Sequence, residues 1–66
     1  MAIEMSHAEW DRLAQESGAA KLAQQVYRQY TGSMDEQEVA DRIFAALRKR
    51  GHSYIMCARM AWTHSA

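Results

Sequence analysis

The chain has 66 residues, 48% of them hydrophobic, and its eight acidic side chains equal its lysines and arginines in number. A chain this short forms one small domain and buries only about 60% of the surface that it exposes when unfolded. The single cysteine excludes an internal disulfide, and no apolar run approaches the ~18 residues that span a bilayer. We therefore expect a soluble cytoplasmic protein with no membrane partner.

The charges are segregated along the sequence. All eight acidic residues lie within residues 1–41, beside only three basic ones, whereas residues 42–66 contain five basic residues and no acidic one. The two segments therefore carry formal charges of −5 and +5. Such a division predicts a polarised surface whose basic end suits an anionic partner.

The composition favours helices. Proline is absent, alanine, glutamine, glutamate, arginine, leucine and methionine dominate, and no stretch alternates as a strand would. The first helix is predicted over 7–17, because Ser6-His7-Ala8-Glu9 forms a capping box. After Gly18 the apolar residues resume with helical spacing but out of phase, so either two helices meet there or one helix kinks; a break with a second helix over 19–30 is favoured.

Two further helices follow the second glycine. Ser33-Met34-Asp35-Glu36 forms another capping box, which predicts a third helix over 34–50 with Gly51 as its left-handed C-cap. Ser53 is expected to cap a fourth helix over 53–62. The predicted fold class is all-α, a small bundle of three to four short helices in a single domain over residues 1–66.

The basic run at the end of the third helix is the main candidate site. Basic side chains at a helix–helix corner, next to the N-terminal amides of the following helix, suit a phosphate-bearing partner. The predicted nucleic-acid- or filament-binding residues are Arg42, Arg48, Lys49, Arg50, His52 and Arg59. The alternative is that cations merely stabilise a helix C-terminus.

The fourth helix also suggests a contact surface. Met56 and Met60 share a helix face at i, i+4 spacing, which suits either an adaptable hydrophobic contact surface or gap-filling in the core. Tyr54 and Trp62 flank this pair; either ring suits stacking on a base, but packing in the core or in a dimer is favoured for both. The predicted interaction surface therefore consists of Tyr54, Met56, Met60 and Trp62.

The residues suited to chemistry form no recognisable active site. Cys57, His52 and His64 match no zinc-binding spacing, and a cysteine in an apolar helix is expected to be a buried small hydrophobe. Neither paired carboxylates nor a nucleophile with a base stand out. We expect a protein that is not an enzyme and holds no metal or cofactor.

From about Glu9 to Trp62, short motifs resemble one module of the RecX family of bacterial recombination regulators, which are built of tandem three-helix repeats. The matching residues are Trp10, the segment 26–32 (VYRQYTG), Asp35, Arg42-Ile43, Leu47 and the segment 50–54 (RGHSY). The resemblance implies binding to the groove of a RecA filament on single-stranded DNA. It further implies that Arg48, Lys49 and Arg50 contact the filament or its DNA.

A second resemblance covers residues 40–66. Here the chain is similar to the opening of a phage-type helix-turn-helix repressor, in which a Leu-Arg-Lys-Arg-Gly helix end precedes a Ser-capped helix carrying an Ala-Arg pair. Leu47 to Gly51, Ser53 and Ala58-Arg59 correspond to these parts. This resemblance implies a transcriptional regulator.

Three functions therefore remain open. The favoured one is a small non-enzymatic regulator that binds nucleic acid or a RecA-type nucleoprotein filament through its basic C-terminal region. The second is a protein–protein interaction module, a homodimer or an adaptor, in which acidic and basic halves face each other. The third is the helix-turn-helix-like regulator.

Overall fold

The computed structural model describes residues 6–65, with side chains described for residues 6–62. Over this part of the chain the fold is all-α, as predicted, and its only β-type contact is an isolated bridge between Thr31 and Met34. Four helices follow one another: α1 (His7–Ser17), α2 (Ala19–Tyr30), α3 (Glu36–Lys49) and α4 (Tyr54–Ser65).

The first two helices coincide with those predicted at 7–17 and 19–30. The Ser6 side chain accepts a hydrogen bond from the Glu9 amide at 3.2 Å, which confirms the N-terminal cap. Gly18 has a φ of 82°, and its amide donates to the Gln15 carbonyl while its own carbonyl accepts from the Leu22 amide. One left-handed residue therefore ends α1 and begins α2.

The start of α3 differs from the prediction of 34–50. Asp35, not Ser33, is the N-cap, because its Oδ1 accepts a hydrogen bond from the Glu38 amide at 2.9 Å. The Ser33 hydroxyl instead donates to the Tyr30 carbonyl at the end of α2. A carboxylate accepts the amide more strongly than a hydroxyl does and is favoured by the helix dipole, so the later cap prevails.

The fourth helix is longer than predicted. Ser53 caps it as expected, since its Oγ accepts from the Met56 amide at 3.2 Å, but the helix continues to Ser65 instead of ending at 62. α3 packs between α2 and α4, while α1 packs on α2 and α2 also touches α4.

The core is small and rich in alanine. Its largest fully buried side chains are Ile43, Leu47 and Cys57, which confirms Cys57 as a buried small hydrophobe. Alanine lets the helices approach closely but contributes little apolar area. The buried set is Ala14, Ala19, Ala23, Val39, Ala40, Ile43, Leu47, Met56, Cys57, Met60 and Ala61.

Candidate nucleic-acid interface

The corner between α3 and α4 has a defined backbone. Arg50 is the C-cap of α3, and Gly51 follows with a φ of 94°, the left-handed conformation expected there. The His52 amide donates to the Leu47 carbonyl at 3.1 Å, and the Gly51 amide donates to the Arg48 carbonyl at 3.0 Å. These two bonds form a Schellman motif, which fixes the direction in which the chain leaves the basic helix end.

Arg48 is held in place at this corner. Its guanidinium lies 4.3 Å from the centroid of the Tyr54 ring, and its Nη1 donates to the His52 carbonyl at 2.8 Å. Tyr54 in turn packs at 5.6 Å against Phe44 of α3 and remains 66% exposed. Arg48 is therefore an oriented surface cation beside an aromatic ring.

Lys49 and Arg50 are exposed beside Arg48 on the same helix end. Their positive charges are favourable next to the last carbonyls of α3, so the stabilising role considered from the sequence also holds here. The two roles are compatible, because cations that neutralise a helix end still face solvent. We call Arg48, Lys49, Arg50 and Tyr54 the basic corner.

Arg42 lies outside the basic corner, about two turns earlier on α3. It is exposed and lies seven residues before Lys49, about two turns, so the two share one side of the helix. Its guanidinium lies 4.7 Å from the centroid of the Tyr30 ring on α2. Arg42 is thus placed on the α2 side, away from the pair formed by Arg48 and Tyr54.

Arg59 is turned away from the basic corner. It is half-buried, its Nη2 lies 3.1 Å from His7 Nδ1, and its guanidinium lies 5.4 Å from the centroid of the Trp10 ring. Both contacts are with α1. We therefore remove Arg59 from the predicted binding set and assign it to the junction of α4 with α1.

His52 contributes through its backbone. Its carbonyl accepts the bond from Arg48 and also a weak bond from the Cys57 thiol, whose Sγ lies 3.7 Å away. The side chain is only partly exposed. The backbone of His52 therefore helps to hold Arg48, and the phosphate contact predicted for its side chain stays a prediction.

The predicted interaction surface is half wrong. Met56 and Met60 lie in the core, as the gap-filling alternative expected, whereas Tyr54 and Trp62 are exposed and do not pack in the core. The exposed residue that the sequence reasoning missed is Ile55, at 59% exposure. The i, i+4 spacing of the methionines correctly indicated a shared face, but that face is buried in the core.

Cys57 has no environment suited to catalysis. Burial raises the pKa of its thiol above the ordinary value of 9.0, and nearby Arg48 opposes this only in part.

Among residues 6–62, no three histidine, cysteine or carboxylate side chains are grouped as metal ligands would be. Nor is any helix within the described part of the chain long and apolar enough to cross a membrane.

Comparison of the chain with protein-family models, with curated proteins and with solved structures finds no match.

Proposed function

We propose that this chain is a small non-enzymatic regulator that binds nucleic acid, or a nucleoprotein filament of the RecA type, through the basic corner. One observation carries the proposal: Arg48 is held over the exposed Tyr54 ring, with Lys49 and Arg50 beside it on the same helix end. No acidic residue follows Asp41 in the sequence, so α4 brings no carboxylate side chain to this corner.

The mechanism is contact with the phosphate backbone. Each cation that replaces a condensed counterion contributes affinity that falls as salt rises, and phosphate contacts carry little sequence information. The exposed ring of Tyr54 and the plane of the Arg48 guanidinium supply a stacking surface that tolerates any base. Binding of this kind covers a strand or filament and blocks access to it by other proteins.

The resemblance to RecX supports the filament as a partner. The segment 50–54 (RGHSY), on which that resemblance depends, forms the turn that positions the basic corner. The basic corner alone suits bare single-stranded DNA equally well. The two partners are distinguished by presenting the strand with and without its protein coat.

The test uses a triple variant and a matched control. Replacing Arg48, Lys49 and Arg50 with glutamine removes three positive charges from the basic corner, and replacing Arg12, Lys21 and Arg28 with glutamine removes three from α1 and α2. We expect the first variant to bind labelled single-stranded DNA, bare or coated with RecA, at least about tenfold more weakly in fluorescence anisotropy. The slope of log affinity against log salt should flatten by about two.

The control variant should retain most of the affinity. Equal losses in both variants would mean that only net charge matters, and no loss in the first would mean that the basic run does no more than end a helix. Either result would overturn the proposed site. Loss on the coated strand alone would identify the filament as the partner.

A further inference from the structure

Tyr54 stays largely in solvent although two neighbours from α3 hold its ring. The ring centroids of Tyr54 and Phe44 are 5.6 Å apart, and the Arg48 guanidinium lies 4.3 Å from the Tyr54 centroid. With both neighbours in place, Tyr54 is still 66% exposed. A ring that is already held and still open is a preformed platform, because it has little freedom left to lose when a flat ligand stacks on it.

The rings paired with the other two arginines are different. Tyr30 and Trp10, which lie beneath Arg42 and Arg59, are only partly exposed and pack against the core. Those two rings therefore have a structural role in the bundle. Of the three arginine–ring pairs within residues 6–62, only the one at Tyr54 presents an open ring to solvent.

A cation suited to phosphate stands beside this ring. The Arg48 Nη1 donates to the His52 carbonyl at 2.8 Å, which occupies only part of the donor set of a guanidinium. The Arg48 side chain is exposed, so its other donors can bind a phosphate. A base and a neighbouring phosphate of one strand can therefore contact the ring and the guanidinium at the same time.

We propose that Tyr54 makes the basic corner selective for nucleic acid with unpaired bases, by stacking on one base while Arg48 contacts an adjacent phosphate. This inference rests on the proposed function, since it requires that the basic corner binds the phosphate backbone. In a duplex an internal base is stacked on both sides, so the ring reaches it only if the stack is opened at an energetic cost. In a single strand the bases are accessible, and every base has a face on which an aromatic ring can stack.

The cations of the basic corner do not make this distinction by themselves. Arg48, Lys49 and Arg50 are suited to phosphates, which a duplex carries more densely than a single strand does. Charge alone therefore favours the duplex, and a preference for the single strand has to come from contacts with bases. Tyr54 is the one aromatic member of the basic corner, so the selectivity is assigned to it.

The test compares three labelled probes of equal length in fluorescence anisotropy. They are a single strand of DNA, the same strand with a stable abasic residue at every position, and the duplex. The abasic strand carries the same phosphates without the bases. We expect Tyr54→Leu to bind the normal single strand about tenfold more weakly than the wild type, as the loss of one stacked base predicts. Its losses on the abasic strand and on the duplex should be far smaller.

Two further variants serve as controls. Tyr54→Phe keeps the ring and should restore most of the affinity for the normal single strand. Tyr30→Leu removes the ring of the other tyrosine–arginine pair, outside the basic corner, and should not distinguish between the probes. Helical circular dichroism of each variant establishes that it is folded.

The outcomes separate this inference from the proposed function. Equal losses of Tyr54→Leu on all three probes would mean that the ring only orients Arg48, and would overturn the inference alone. The absence of any loss, or wild-type binding confined to the RecA-coated strand, would do the same. A wild type that binds none of these probes, bare or coated, would overturn the proposed function and the inference with it.

Discussion

Three arginines lie over aromatic rings, and each pair joins two different helices. The pairs are Arg42 over Tyr30, Arg48 over Tyr54 and Arg59 over Trp10. They connect α3 to α2, α3 to α4 and α4 to α1. Exposed contacts of this type contribute about 0.5–1 kcal/mol each, so part of the positive charge in the second half of the chain serves to hold the helices together.

Cys57 gives the protein a pH dependence at the alkaline end. Burial raises the pKa of its thiol in the folded state above 9.0, so the unfolded chain loses its proton first as the pH rises. The free energy of unfolding is therefore unaffected by this group below pH 9 and falls above it. Urea titrations at several pH values should show a steeper fall for the wild type than for Cys57→Ala.

Every other side chain is the same in both proteins, so its contribution cancels in that comparison. The cavity left by Cys57→Ala lowers stability at every pH, so it shifts the curve without changing its slope. Parallel curves would contradict the assignment of the alkaline loss to this thiol.

At the level of the helices, the cap of α3 offers a direct test. Asp35→Ala removes the acceptor for the Glu38 amide and should destabilise the protein by about 1 kcal/mol. Ser33→Ala is the matched control, because its hydroxyl only donates to the Tyr30 carbonyl, and it should cost clearly less. Chemical denaturation measures the free energy of unfolding of both variants. A larger loss of stability for Ser33→Ala would show that Ser33 is the cap of α3, as predicted from the sequence.

The same segment shows where sequence reasoning reaches its limit. Ser33-x-x-Glu36 and Asp35-x-x-Glu38 both satisfy the capping pattern, and the sequence alone does not state which hydrogen bond forms. The end of α2 determines which residue caps α3. The Tyr30 carbonyl accepts a hydrogen bond from the Ser33 hydroxyl, and Asp35 therefore caps the helix. At Gly18 the sequence left a break or a kink open and favoured the break, which the left-handed φ of 82° confirms.

α4 itself was predicted, but the side of it that enters the core was not, for a related reason. Its apolar residues surround the helix, so periodicity identifies the helix but not the face that enters the core. Met56 and Met60 face inward, and Ile55 and Trp62 face outward, because α3 and α2 approach from the methionine side. The side of α4 on which its neighbours pack depends on the arrangement of the whole bundle, so the spacing of residues within α4 does not reveal it.

At the scale of the whole molecule, the charge distribution along the sequence predicted which cations are exposed at the end of α3 but not where Arg59 lies. Arg48, Lys49 and Arg50 are exposed at one corner as expected, since a basic helix end followed by a glycine stays at the surface. Arg59 was grouped with them by charge alone. Its contacts with His7 and Trp10 join residues about fifty positions apart, which no local pattern reveals.

The small core sets the stability of the molecule. Five of its eleven buried hydrophobic residues are alanine, so the few larger side chains carry most of the apolar burial. Leu47 is fully buried, and truncating such a residue costs about 2–5 kcal/mol, whereas a core of this size rarely supplies more than about 3–5 kcal/mol. Leu47→Ala should therefore unfold a large fraction of the molecules at room temperature.

Leu13→Ala is the matched control for this change, because it removes the same atoms from a side chain that is 41% exposed. It should cost less than about 1 kcal/mol and leave the helical circular dichroism intact. The stabilities of the two variants are compared by thermal denaturation at low protein concentration, where association contributes little. Equal losses would mean that stability does not come from the contact of α3 with its two neighbours. A much larger loss for Leu47→Ala would establish α3 as the helix around which the others are held.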